Sequence, residues 1–284
     1  MSKKHYGVIG HPIGHTLSPF IHTRLLSLSG VDGEYGVYDI APEELDERFM
    51  DTLSKLDGFN ATIPHKQAVM HLLSEKDSTA ELYGSVNTVA FDHNPDGTFT
   101  SKGYTTDGIG FETAVKNAGM SFGSTVTIVG CGGVGRVIAN TCVPYGCKLN
   151  ILECEAALEN ARSFAASLNE LFGEDTAVVY KTENFDGESD LLVNATPLGM
   201  FPKINACAVS DNVIEKAGAV YDVVYNPTDT LLVKKARALG KKAISGMTML
   251  VYQDAAAQKI WNGSEFDPKD IEKLAEDCFK ELNK

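Results

Sequence analysis

The chain has 284 residues, 43% hydrophobic and 22% charged, the proportions of a folded protein of about two domains. Its net charge of −13 opposes the basic footprint that nucleic acid or a polybasic membrane contact requires, so neither partner is expected. No run approaches the roughly 18 apolar residues of a membrane span, and Tyr6–Ile9, behind a mildly basic start, is too short for a signal-peptide core. The six cysteines form no CxxC pair, and neither His11, His15 nor any other histidine stands at zinc-ligand spacing. Reduced thiols, no metal and a cytoplasmic protein are the expectation.

In the first third, β-like runs at Tyr6–Gly10, Glu34–Ile40, Phe59–Ile63 and Val86–Phe91 alternate with helical spacing at Pro19–Leu28, Pro42–Leu53 and Lys66–Leu73. Such alternation predicts an α/β layer with parallel strands. Asn94-Pro95-Asp96-Gly97 then predicts a hairpin from Val86–Phe91 into Thr98–Thr100. A helix follows from Thr106-Asp107-Gly108 to about Gly119, with Thr106 or Asp107 as its cap.

Strand Ser124–Val129 runs straight into Gly130-Cys131-Gly132-Gly133-Val134-Gly135, and a helical run continues to Cys142 before Pro144. Strands are predicted at Lys148–Leu152, Ala177–Tyr180, Leu191–Asn194, Val220–Val224 and Ala243–Ser245, with helices at Ala156–Phe172 and Thr230–Leu239. Met247–Trp261 and Pro268–Asn283 read as closing helices. The chain is expected to divide at about residues 108 and 243, and from the order of elements alone helices 244–284 are expected to return to the first domain.

Gly130-x-Gly132-x-x-Gly135 between a strand and a helix is a dinucleotide fingerprint. Gly130 permits the tight turn, Gly132 the approach of a pyrophosphate, and Gly135 close helix–strand packing; Gly133 lies in the same loop. Free N–H groups at the helix start face the phosphates. Glu153, about 20 residues on, sits where a carboxylate hydrogen-bonds the ribose diol of NAD. Leu152-Glu153-Cys154-Glu155 holds two acids and no base, so NAD is favoured over NADP.

Polar strings crowd the first domain: Gly10-His11-Pro12-Ile13-Gly14-His15-Thr16-Leu17-Ser18-Pro19, Asn60-Ala61-Thr62-Ile63-Pro64-His65-Lys66, Gly84-Ser85-Val86-Asn87-Thr88 and Gly103-Tyr104-Thr105-Thr106-Asp107-Gly108. Taken alone, the hydroxyls of the first could cap a helix and the lysine of the second could be a solvated charge. In this order, ahead of the glycine loop, they resemble the shikimate dehydrogenase family. The resemblance extends through Asn194-Ala195-Thr196-Pro197-Leu198-Gly199-Met200, Tyr221-Asp222-Val223-Val224-Tyr225-Asn226-Pro227 and Gly246–Gln253, covering about Gly7 to Ile260.

The resemblance implies an α/β substrate-binding domain followed by a Rossmann-type dinucleotide-binding domain. It implies reversible hydride transfer between a nicotinamide cofactor and 3-dehydroshikimate or shikimate, in aromatic amino-acid biosynthesis. It makes Lys66 the proton-transfer residue, with Asp107 beside it. A free lysine, of pKa about 10.4, is a poor base at neutral pH; a neighbouring carboxylate chiefly orients such an amine. Thr16 and Ser18 would hold the substrate carboxylate, and Asn60, Thr62, Asn87, Asp107 and Gln253 would serve the substrate ring, with Tyr225 lining the site. Asn194, Thr196, Gly246 and Met249 would approach the nicotinamide. His65 is read as a surface residue, contact with substrate being the alternative, and Met247 as packing. Trp261 and the last helix are assigned to covering apolar surface.

Three residues depart from the family pattern. Thr16 stands for a serine and adds a methyl near C1, where quinate carries a further hydroxyl. Thr105 stands for an asparagine. Glu153-Cys154-Glu155 stands for the Asn-Arg-Thr-like string of NADP-using members. NADP is the family default and the residues argue for NAD. A catabolic NAD-dependent quinate/shikimate dehydrogenase and a non-catalytic sensor of small-molecule ligands are the alternatives, the intact Lys66, Asp107 and Gln253 weighing against the sensor. A monomer or homodimer is expected.

Overall fold

The computed structural model describes residues 3–14 and 16–282; His15 and Asn283, named above, lie outside the described residues. Two compact units emerge, Met1–Gly110 with Val251–Lys284, and Phe111–Leu250.

The first unit holds a six-stranded sheet of β1 (Lys4–Gly10), β2 (Gly33–Asp39), β3 (Gly58–Ala61), β4 (Glu75–Lys76), β5 (Thr88–His93) and β6 (Phe99–Tyr104), ordered β2-β1-β3-β5-β6-β4. β1 pairs in parallel with β2 and β3, whereas β3–β5 and β5–β6 are antiparallel. The predicted hairpin is present at β5–β6. The predicted parallel strands are present at β2-β1-β3, and the antiparallel β3–β5 pair joins them to the hairpin in one mixed sheet. Periodicity marks an element as strand or helix and carries no sign for its direction. The two-residue β4, too short to show alternation, extends the sheet beyond β6.

Helix Ser18–Ser29 starts with Pro19 in its first turn, where a missing N–H is harmless, and ends at left-handed Gly30. The run Pro42–Leu53 resolves into a 3₁₀ turn at Pro42–Glu44 and helix Leu45–Asp51. Lys66–Leu73 is one α turn, His65–Ala68, followed by a 3₁₀ turn. Phe49, Phe59, Leu45, Leu53, Val86 and Val89 build the core under these segments. The closing helix Met247–Asn262 enters this unit, where Trp261 stacks on Tyr6 at 4.6 Å between centroids and donates its indole N–H to the Val89 carbonyl at 2.9 Å. A Cβ at Gly58 would meet that indole at 2.3 Å, so β3 accepts the tryptophan only as glycine.

The second unit holds β7 (Thr125–Val129), β8 (Lys148–Glu153), β9 (Ala177–Lys181), β10 (Ser189–Asn194), β11 (Ala217–Asp222) and β12 (Lys242–Ser245), all parallel, in the order β12-β11-β10-β7-β8-β9. This is the Rossmann order, reversing between β7 and β10, where ligands of such sheets bind beyond the strand C-termini. β11 ends at Asp222, two residues before the predicted end, because the Asp222 carboxylate takes the Val224 N–H out of the ladder at 3.1 Å. Helix Asp211–Glu215, too short for a periodic signal, was not predicted.

Candidate active site

In the first unit, the predicted Thr16, Ser18, Asn60, Lys66, Asn87 and Asp107 are joined through Tyr35 into one connected set. Lys66 opens the short helix after β3, and Asp107 opens helix Asp107–Asn117. Their side chains meet at 2.6 Å, Nζ to Oδ2, with Asp107 buried and Lys66 about one quarter exposed. The other carboxylate oxygen, Oδ1, accepts the Asn87 amide at 2.9 Å. The Asn87 amide also donates to Thr106 Oγ1 at 3.0 Å, and its oxygen accepts the Thr106 N–H at 2.8 Å. Asn87 thus spends both amide hydrogens on orienting Asp107 and Thr106.

Asn60 is committed in the same way. Its oxygen accepts the Tyr35 hydroxyl at 2.7 Å, and its amide reaches the Asn87 carbonyl at 3.2 Å and Thr88 Oγ1 at 3.1 Å. Tyr35 also interacts with Ser18, and burial raises its pKa well above the ordinary tyrosine value, so it stays a neutral donor. Ser18 takes the Thr16 hydroxyl at 3.2 Å. From Thr16 through Ser18, Tyr35, Asn60, Asn87 and Asp107, hydrogen bonds lead to Lys66. Sequence reasoning missed Tyr35: an aromatic in an edge strand reads as packing, and its partners lie far along the chain. Thr62 is half-buried at the end of β3, and Gln253 is half-buried on the closing helix.

His65 is not a surface residue. It is fully buried, and its Nε2 lies 2.7 Å from the Ile40 carbonyl. Successive helical residues point about 100° apart, so Lys66 can reach toward solvent while His65 turns into the core. Met247 packs in the core as expected, and Met249 is also buried.

In the second unit, β7 delivers the glycine loop to helix Gly133–Cys142. Gly130 has φ +93°, and a Cβ there would meet Thr196 Cγ2 at 2.6 Å. A Cβ at Gly135 would strike the Gly130 carbonyl at 2.0 Å, whereas around Gly132 and Gly133 the space is open. The loop therefore offers a bare backbone and a helix N-terminus to an anion, the cradle that a dinucleotide pyrophosphate requires. Glu153 closes the loop: its carboxylate accepts the Cys131 N–H at 2.8 Å and the Cys154 N–H at 2.9 Å. Beside it a cavity of about 300 Å³ is lined by Glu153, Glu155, Lys181, Glu183 and Ser210, among others. Lys181, the one cation of that lining, is paired with Glu155 and lies 3.6 Å from Glu183.

Asn194 ends β10 and accepts both the N–H and the hydroxyl of Thr196, at 3.0 and 2.6 Å. Its amide donates to buried Asp222 at 2.8 Å. Gly246 lies against the turn after β11, where a Cβ would meet the Val223 carbonyl at 2.1 Å. Tyr225, half-buried, follows that turn. Among the described residues no group of three or more His, Cys, Asp or Glu could hold a metal, and no helix is long and apolar enough to cross a membrane.

Burial pushes the Asp222 carboxyl up to about 6, above its value of about 4 in the unfolded chain. Between roughly pH 4 and 6 the native state therefore binds this proton more tightly than the unfolded state. The stability it contributes falls as pH rises through that window, by up to about 3 kcal/mol, and is level above it. Urea unfolding of the parent and Asp222→Asn at either end of this window is expected to show the difference moving in favour of the variant as pH rises. A constant difference, or one moving the other way, rejects the assignment.

Residues 8–89 match the family described as shikimate dehydrogenase substrate binding domain. A shikimate dehydrogenase (NADP(+)) of Caldanaerobacter subterraneus subsp. tengcongensis is 38% identical over 269 residues, covering 93% of each chain. The shikimate 5-dehydrogenase of Thermus thermophilus in complex with NADP(H) and shikimate is similar at a TM-score of 0.83 and 30% identity, over 96% of this chain and 99% of that one. The shikimate 5-dehydrogenase of Listeria monocytogenes in complex with shikimate and NAD is similar at 0.85 and 29% identity, over 98% of this chain and 96% of that one.

Proposed function

This chain belongs to the shikimate dehydrogenase family, and we propose that Lys66 is the proton-transfer group with which it interconverts 3-dehydroshikimate and shikimate. The nicotinamide cofactor, when bound, supplies or accepts the hydride at its C4. Lys66 Nζ gives a proton to the substrate carbonyl oxygen during reduction and takes it from the hydroxyl during oxidation. Asp107, itself held by Asn87, fixes the direction of the Lys66 amine. The observation that carries this reading is the 2.6 Å Lys66–Asp107 pair, buried on the carboxylate side and open on the amine side.

Around that pair, Thr16 and Ser18 serve the substrate carboxylate, while Thr62 and Gln253 serve the remaining polar groups. Asn60 and Asn87 act chiefly by holding their neighbours, since their amide hydrogens are donated within the chain.

The cofactor is NAD in this reading. A 2′-phosphate would meet Glu153, Glu155 and Glu183, and the Lys181 charge is already neutralised by its acidic neighbours. Like charges brought together cost several kcal/mol. Initial rates of shikimate oxidation with NAD and with NADP, followed by absorbance of the reduced nicotinamide, test both parts. Turnover with a higher kcat/KM for NAD is expected; a preference for NADP refutes the cofactor assignment. Ligand binding without turnover with shikimate or quinate refutes the enzyme.

A further inference from the structure

Asp222 is fully buried at the end of β11 and is a carboxylate to which the reaction so far gives no part. Its Oδ1 accepts the Asn194 amide at 2.8 Å and the Val224 N–H at 3.1 Å, and its Oδ2 accepts the Thr230 hydroxyl at 2.6 Å. Thr230 in turn caps helix Leu231–Ala238 by accepting the Val233 N–H. One buried anion thereby ties three separate segments together.

We infer that Asp222 is a positioning residue for the nicotinamide half of the cofactor, acting through Asn194 on Thr196 and through Val224 on the turn before Tyr225. The inference rests on the reading of Asn194 and Thr196 as nicotinamide-side groups and adds the group that aims them. An amide can flip between two orientations; the Asp222 anion accepts only, so it forces the Asn194 NH₂ inward. The Asn194 oxygen then faces Thr196 and takes both its N–H and its hydroxyl. The second Asn194 hydrogen closes the turn on the Leu198 carbonyl at 3.1 Å. Thr196 Cγ2 stands 2.6 Å from where a Cβ on Gly130 would be, so the orientation set by Asp222 reaches a residue beside the glycine loop. Hydrogen bonds to a charged acceptor are about twice as strong as neutral ones, which suits a group whose task is to hold a turn still.

The test compares Asp222→Asn, Thr230→Val, Thr230→Ser and Thr196→Val, each titrated with NAD and with ADP-ribose, which carries every part of NAD except the nicotinamide. Misplacing a reacting ring by about 1 Å costs up to about 100-fold in rate. Asp222→Asn is expected to lower kcat by about tenfold or more and to weaken NAD, with KM for shikimate and affinity for ADP-ribose within about twofold of the parent. Thr230→Val follows in the same direction, and Thr230→Ser, which keeps the hydroxyl, restores parental behaviour. Should Asp222→Asn fail to fold, the Thr230 pair decides alone. Parental kcat and NAD affinity in Asp222→Asn and Thr230→Val, with Thr196→Val impaired, overturn the inference. A Thr196→Val enzyme with parental NAD affinity overturns the underlying reading of the nicotinamide side. Loss of ADP-ribose in step with NAD marks Asp222 as structural only.

Discussion

Lys66→Ala is expected to lower kcat for shikimate oxidation by a factor on the order of 10²–10⁴, the usual contribution of a positioned general acid–base. The pair geometry gives the reason. Asp107 is almost wholly buried and has one oxygen on Asn87 and one on Lys66. Removing the amine takes away the proton carrier and leaves a buried carboxylate short of a partner. The loss should fall on kcat, with KM for shikimate changed much less, because Thr16 and Ser18 are untouched. Steady-state kinetics with saturating cofactor make the measurement. Turnover within a few-fold of the parent would mean that another group moves the proton.

Replacing Glu153-Cys154-Glu155 by Asn-Arg-Thr is expected to raise the ratio of kcat/KM for NADP to that for NAD by about 10²–10⁴. Two carboxylates leave and a guanidinium arrives, which favours the 2′-phosphate, and NAD loses the carboxylate read as the partner of its ribose diol. Like-charge contact costs several kcal/mol, and an arginine–phosphate pair is among the stronger charge-assisted interactions. Loss of Glu155 also leaves Lys181 with Glu183 alone, at 3.6 Å, so its charge is less fully neutralised in the same cavity. The Cys131 N–H loses its acceptor when Glu153 goes, so the absolute rate with either cofactor should decline while the ratio rises. The two cofactors measured on parent and variant give the ratio directly. An unchanged ratio would show that the acids of this cavity do not select the cofactor.

These two expectations differ in how far they were legible beforehand. The glycine loop and Glu153 are local: strand, turn, helix and next strand follow in one continuous stretch. The positive φ of Gly130 and the Gly130 carbonyl against Gly135 show backbone demands met within it. The NAD reading therefore came from residue types at fixed spacing. Lys66 and Asp107 are 41 residues apart, and neither string by itself separates a catalytic amine from a solvated one. Their association was implied by resemblance and became geometry only through the sheet, where β3, β5 and β6 are neighbours.

Sequence neighbours misled where side-chain direction mattered. His65 stands next to Lys66 and reads as a surface residue, yet the helix turns it onto the Ile40 carbonyl. Tyr35 and Asp222 were read as strand residues and are the hubs of two hydrogen-bond networks.

By itself the sequence determined the α/β class, the Rossmann strand–loop–helix, and the chemical types available for substrate and cofactor. These follow from periodicity, glycine placement and composition, which act over a few residues at a time. Tertiary structure alone decided the antiparallel pairing of β3 with β5, the burial of His65, the commitment of Asn60 and Asn87 to their neighbours, and the convergence of three segments on Asp222. Each depends on which distant polar groups are buried side by side, where leaving a hydrogen bond unmade is costly, and no short-range pattern encodes that company.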